Sequence, residues 1–392
     1  MLRSLFAGIS GLRAHQTMMD VTGNNIANVN TAGYKASQTV FQDTLSQMIQ
    51  GAGAPQGNAG GTNPAQVGLG VRVGGIFTNF GQGSAQATGR STDLMIQGDG
   101  FFVVRKDGQD LYTRAGAFNF DSLGQLVSPD GAKVMGWGAV NGAINTNAAA
   151  APLSLPVGTM LPPAATGNVT VGGNLPGDST STTPITTSIT VYDAQGNPIA
   201  LKTSFLKTSP TTWDVTMTDG TTTVGPTPLT FNATGTAPTP SSMAFGAINV
   251  ALSGITNYAG VSTVSALNQD GSAVGSLQAF SISPDGTLVG VFSNGLRQDL
   301  GRIAMASFNN PPGLEKVGNT NFRATVNSGV AQLGTAGAGG RGALAGGSLE
   351  MSNVDLAQEF TNLIVAQRGF QANSKVITAS DEILQDLVNL KR

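Results

Sequence analysis

The chain has no cysteine and one histidine, His15, in 392 residues. Disulfides, thiolate nucleophiles and cysteine metal sites are excluded together, and a lone imidazole has no second histidine to share a metal. Stability must come from packing. Charge is scarce too: 11% of residues are Asp, Glu, Lys or Arg, with a formal net charge of -2 and a pI near 5.4. Phosphate recognition needs a clustered basic face, so nucleic acid is not an expected partner. No apolar run approaches the ~18 residues of a bilayer span, so membrane insertion is not expected. Arg13 and His15 interrupt the apolar start before a signal-peptide core forms, so export, if it occurs, is expected without a cleaved signal. Lack of cysteine by itself leaves the compartment open.

What is abundant is turn chemistry, with 54 glycines and 18 prolines. Against that background both ends carry apolar residues at seven-residue spacing. Leu5, Leu12, Met19 and Ile26 form the first stripe, flanked by Leu2 and Ile9. Leu363, Phe370, Ile377 and Leu384 form the second, flanked by Leu356, Ala366 and Leu387. This is the seam spacing of a coiled coil, in which each stripe needs another helix to leave water. The pattern predicts a first helix over about 2–21, although Gly8 and Gly11 each cost up to about 1 kcal/mol relative to alanine. It predicts a final helix of about forty residues, capped by Ser352 with Asp355 and closed by the cations Lys391 and Arg392. Two lone helices on a β-rich body point to a part that packs with copies of itself.

The interior divides by composition. Asn24 to Tyr34 reads as a shaped loop, because asparagine and glycine readily take left-handed conformations. Residues 36–70 and 334–347 read as Gly/Ala-rich linkers or hinges. Short β-prone runs separated by Asp-Gly and Asn-Gly turns place one discontinuous β domain over 71–145 and 268–333. A Thr- and Pro-rich stretch, 146–267, reads as a second β domain inserted in the first. The terminal coiled-coil domain takes 1–35 and 348–392. The expected fold class is mixed α and β, with a terminal helical coiled coil and two mainly antiparallel β domains, one inserted in the other.

Candidate chemistry is thin. Gly337, Gly339 and Gly342 spell a dinucleotide-like motif, but no apolar-period helix opens at once and no parallel strand-helix-strand unit surrounds it. Asp99, Asp121, Asp130 and Asp285 lie beside Gly, Ser or Pro, where turns account for them. Sequons at Asn168 and Asn232 are expected by chance in a Thr-rich domain. No catalytic residue, cofactor or metal is expected.

The run Asn24, Asn25, Ile26, Ala27, Asn28, Val29, Asn30, Thr31, Ala32, Gly33, Tyr34, Lys35 resembles the signature segment of the bacterial flagellar rod and hook proteins. Three further blocks agree: Gly98 to Val104, Tyr112 to Gly116 with Gly136 and Trp137, and Ser352 to Leu356 with Ala366 to Arg368. The Thr-rich insertion, with Val191 to Asn197 near its start, is similar to hook members rather than the shorter distal-rod ones. The resemblance implies a non-enzymatic subunit of a hollow, bendable helical tube that joins rod to filament as a universal joint. The paired helices would line its bore. It also implies export through the flagellar type III apparatus, residence in the extracellular hook of the flagellum, and partners in the distal rod protein, hook cap and hook–filament junction protein. Some members are cross-linked between cysteine and lysine; this chain has no cysteine for that chemistry. Two other readings stay open: a straight distal-rod subunit, and a secreted β-rich adhesin that binds glycans.

Overall fold

The computed structural model describes residues 2–55, 57, 60–140, 142–155, 160–178 and 183–389. Two long helices, α1 (Leu2–Ala27) and α2 (Leu356–Asn389), stand at the termini, and the body between them is β. α1 runs six residues past the expected Val21, so the first part of the asparagine-rich run is helical. α2 begins one residue after Asp355, whose Oδ1 accepts the backbone N–H groups of Ala357 and Gln358 at 2.9 and 3.2 Å. Asp355 is therefore the N-cap, not Ser352, because an oxygen one residue before the first turn meets its orphan donors. Lys391 and Arg392, expected to close α2, lie outside the described residues.

The chain forms two compact units. Unit 1 comprises Met1–Pro156, Ser281–Val289 and Asp299–Arg392 and holds both helices; unit 2 comprises Val157–Phe280 and Gly290–Gln298. In unit 1, Phe101–Lys106 pairs antiparallel with Gln109–Thr113 on one side and with Lys133–Val140 on the other. Asn321–Arg323 and Glu315–Gly318 extend the sheet beyond Gln109–Thr113. The Phe101 to Val104 run is apolar without alternation because both faces of the sheet are covered. Phe102 and Val104 join Leu94, Leu111, Phe118 and Val134 in one core, while Phe101 and Val103 join Tyr112, Met135, Phe308 and Phe322 in another.

Much of 36–70, read from composition as a linker, is paired strand. β1 (Ser37–Asp43) pairs antiparallel with β4 (Val71–Thr78), and β2 (Ser46–Gln50) with β3 (Ala65–Gly68). Bonds from the Thr44 N–H to Gly70 O and from the Leu69 N–H to Leu45 O join the two ladders into one ribbon. Residues 334–347, expected as the second hinge, are likewise held. Ala343–Gly346 pairs with Leu94–Gln97, and the Gly342 N–H donates to Asp99 O at 2.7 Å. Backbone pairing defeats the flexibility that a Gly/Ala composition suggests.

Unit 2 contains two four-stranded sheets. One orders Ser242–Phe245, Ile248–Thr256, Asn168–Asn174 and Ser265–Gln269, with its central pair parallel. The other runs Ile185–Tyr192, Pro198–Ser209, Thr212–Thr218 and Thr223–Thr230, antiparallel throughout. Alternate residues of both, among them Val169, Val171, Phe205, Trp213, Val215, Val250 and Leu252, meet in a single core. Tight five-residue turns recur in both units. Asp121 and Asp193 each accept two N–H groups of their own turn, and Gly124 and Gly196 take its left-handed position.

Phe205 is fully buried in the unit 2 core. Phe205→Ala should destabilise that unit by about 3–5 kcal/mol. In a Trp137→Phe background, where Trp213 alone reports, the urea midpoint of its fluorescence should fall accordingly.

Candidate assembly interface

The two terminal stripes meet within one chain. Ser4 lies 3.5 Å from Ser380, and Asn25 donates to Glu359 Oε1 at 3.0 Å, so α1 and α2 run antiparallel. Small residues make the contact line. A Cβ on Gly8 would stand 3.3 Å from Ile377, one on Gly11 2.6 Å from the Asn373 amide, and one on Gly369 2.5 Å from the His15 ring. Ala14 and Ala366 are buried beside them. Glycines that weaken α1 as an isolated helix thus permit the close approach that stabilises the pair.

All eight seam residues, Leu5, Leu12, Met19, Ile26, Leu363, Phe370, Ile377 and Leu384, are half-buried in this arrangement. The side chains of the flanking Leu2 and Leu387 lie outside the described residues. A further apolar set is exposed: Phe6 on α1, and Leu356, seven residues before Leu363, with Phe360, Ile364, Val365, Val376 and Ile383 on α2. Pairing within the chain therefore covers one side of each helix and leaves apolar flanks in water.

The signature loop anchors the pair to the β body. Asn25, fully buried, donates to Ser37 O at 2.8 Å and accepts from the Ser37 N–H and the Tyr34 hydroxyl. Asn24 donates to the Tyr34 hydroxyl, Asn28 to Asn24, and Thr31 to Asn28. Burial, with Glu359 nearby, pushes the Tyr34 hydroxyl above its ordinary pKa. Lys316 lies over the Tyr34 ring, 5.0 Å from its centre. Gly33 has φ +70°, and a Cβ there would stand 2.4 Å from Ala115 N, so this turn requires glycine. Asn24, Asn28, Thr31 and Tyr34 line a cleft of about 430 Å³ opposite Lys316 and Asn321. Asn30 is exposed, and Ile26 and Ala27 complete the last turn of α1.

Beneath the loop lies an ion cluster that the sequence reading missed. Lys35 Nζ donates to Glu350 Oε1 at 2.6 Å, and Arg114 Nη1 lies 3.4 Å from Glu350 Oε2; all three side chains are almost wholly inaccessible. The Gly83 N–H also donates to Glu350 Oε1, and the Gly33 N–H donates to Glu350 O. Lys35 reaches Gly81 O, Arg114 reaches Gly98 O, and the guanidinium stacks over Phe101. Burial lowers the pKa of both Lys35 and Arg114, against the opposing pull of Glu350. Lys35 and Arg114 sit in the motif blocks 24–35 and 112–116, and a cation in each of two acid-free blocks was the available signal. The strand Ser348–Glu350 carries their counter-ion to within a few residues of α2.

Four family models match the chain. "Flagella basal body rod protein" matches residues 5–35, "Flagellar hook protein FlgE/F/G D1 domain" 95–174, "Flagellar basal body protein FlaE D2 domain" 165–272, and "Flagellar basal body rod FlgEFG protein C-terminal" 345–390. The chain is 40% identical over 442 residues to the flagellar hook protein FlgE of Borreliella burgdorferi, covering 100% of each. It is 35% identical over 393 residues to the flagellar basal-body rod protein FlgG of Bacillus subtilis, again covering 100% of each. Among solved structures it is similar to Helicobacter pylori flagellar hook protein FlgE2, with a TM-score of 0.52, 16% identity, and coverage of 68% of this chain and 100% of that one. At that identity the likeness speaks for the fold alone.

Glu350→Gln leaves Lys35 and Arg114 buried without their counter-ion, and should cost about 3–5 kcal/mol of unit 1 stability. Lys35→Met with Glu350→Leu should cost less than the sum of the two single changes. A double-mutant cycle on urea midpoints, followed by Trp137 fluorescence, measures the coupling; simple additivity would show that the cluster does not act as a unit.

Proposed function

This chain belongs to the flagellar hook and basal-body rod protein family, and within it we propose that the chain is a subunit of the bacterial flagellar hook. It polymerises into a hollow, bendable helical tube that joins rod to filament and carries torque round the bend. The observation that carries this reading is the helix pair: two long antiparallel helices satisfy one seam internally and keep apolar flanks on both sides of it. Flanks of that kind are covered when copies repeat around an axis by a contact that does not close on itself, and such contacts make filaments.

Two features favour hook over rod. The relative with the higher identity is a hook protein, and unit 2, over which the FlaE D2 model matches, supplies a second β unit. The full-length similarity to a rod protein supports the alternative of a straight distal-rod subunit. Electron microscopy of the purified polymer separates the two: curved tubes mark a hook, straight ones a rod.

In the proposed role the chain has no catalytic function. Leu5, Leu12, Met19, Ile26, Leu363, Phe370, Ile377 and Leu384 hold the two helices together as the unit of assembly. The exposed flanks contact neighbouring copies. Each large apolar side chain fully covered in that way contributes about 1.5–3 kcal/mol. The signature residues Asn24, Asn25, Ile26, Ala27, Asn28, Asn30, Thr31, Gly33 and Tyr34 set the angle at which the helix pair leaves the β body. Distal rod protein, hook cap and hook–filament junction protein are the proposed neighbours at the ends of the tube, reached by type III export without a cleaved signal.

Ile377→Asp with Leu384→Asp should abolish polymerisation while the melting of unit 2 stays unchanged. Sedimentation and electron microscopy read the first, Trp213 fluorescence the second. Tubes of normal diameter from this variant would sink the role given to the helix pair.

A further inference from the structure

An α-helix turns about 100° per residue, so the contacts with α1 fix the direction of every other side of α2. Glu359, Gly369, Asn373, Ile377 and Ser380 mark the side turned to α1. The opposite side carries Arg368, Lys375, Glu382 and Asp386 around Ile364, all exposed. Among the described residues none of those charges has an ion-pair partner. About a quarter turn to one side of the α1 contact lie Leu356, Phe360, Leu363 and Phe370. About a quarter turn to the other side lie Val365, Ala372, Val376, Ala379 and Ile383, every one of them exposed.

The two flanks are apolar over different lengths of the helix. The first is apolar from Leu356 to Phe370 and then turns polar with Ser374, Asp381 and Gln385. The second begins polar, where Gln358 and Asn362 line a cleft of about 340 Å³ against Ser37, Gln38 and Thr39 of β1, and is apolar from Val365 to Ile383. The midpoints of the apolar stretches, near Leu363 and Ser374, lie about 17 Å apart along the axis at 1.5 Å per residue. The first flank projects large side chains, while two alanines hollow the second. Being on opposite sides of one helix, they cannot meet within one chain.

We propose that the first flank of α2 packs on the second flank of α2 in a neighbouring copy, the two helices parallel and displaced by about 17 Å; this rests on the polymer reading above and names one of its contacts. At a displacement of eleven residues, Leu356 falls between Val365 and Gly369 of the neighbouring copy, Leu363 between Ala372 and Val376, and Phe370 between Ala379 and Ile383. All three large side chains then enter holes between smaller ones, because both flanks repeat every seven residues. One seven-residue step either way loses a layer: Leu356 would meet Gln358 and Asn362, or Phe370 would meet Asp386. The contact joins unlike surfaces, so each copy keeps a free flank for the next and the array does not close on itself. The charged side stays in water, since covering it with apolar surface would desolvate unpaired charges.

The absence of cysteine makes the test clean. The full-length double variant Gln367→Cys with Ala379→Cys is co-assembled with unsubstituted chain, so that it need not polymerise alone, and the polymer is oxidised with copper–phenanthroline. The two positions stand about 18 Å apart along one α2, beyond the reach of a disulfide within the chain, but meet at the rim of the proposed contact. A ladder of dimers, trimers and longer species should appear on a non-reducing gel. Phe360→Cys with Ala372→Cys, at the same spacing, gives a second reading. Gln367→Cys with Ala372→Cys, one seven-residue step away, should give no ladder. Polymer in which neither of the first two variants links, in which only dimers form, or in which the third links as readily, overturns this contact and leaves the polymer reading standing. Failure of the unsubstituted chain to polymerise overturns both.

Discussion

Glu350 is the constraint on which the rest of unit 1 depends. One carboxylate, out of water, neutralises Lys35 at the end of the signature loop and Arg114 at the end of a core strand, and accepts the Gly83 N–H as well. Three stretches distant in sequence must arrive together, because each buried charge alone is strongly unfavourable. Their convergence sets where α1 ends and α2 begins relative to the sheet. Asn25, Tyr34 and Asn353 add neutral hydrogen bonds around the same point, Asn353 accepting the Ala36 N–H and donating to Asn79 and Gly81. A junction whose buried charges and amides are tied to partners in this way is stiff.

From that junction the helices leave as an antiparallel pair whose contact line is made of Gly8, Gly11, Ala14, Ala366 and Gly369. Small side chains bring the backbones close but bury little area per residue. Most of the large apolar side chains are therefore pushed to the edges of the contact, half-covered or bare. The same choice that makes the pair tight makes it incomplete. Assembly is the physical completion of a packing arrangement begun inside one chain.

Much of this was legible in the sequence. Seven-residue spacing found both helices, Asp-Gly and Asn-Gly turns found the antiparallel β body, and the asparagine-rich run with its three companion blocks pointed to the family. The errors share a cause. Residues 36–70 and 334–347 look flexible by composition, yet pairing to a partner strand holds 37–43, 46–50, 65–68 and 343–346, and pairing depends on which segment lies alongside. Ser352 satisfied a capping pattern, but Asp355 sits one residue before the first turn and takes the donors. Glu350 carried no local mark, since its role comes from Lys35 and Arg114, more than two hundred residues away.

What the sequence alone determined is the set of surfaces that must leave water: two amphipathic helices, alternating strands, and turns requiring glycine. Those follow from periodicity and backbone sterics, which are local. Only the tertiary structure decided which surfaces meet within the chain and which remain for a second copy. That division depends on distances between elements remote in sequence and on the close approach that Gly11 and Gly369 allow.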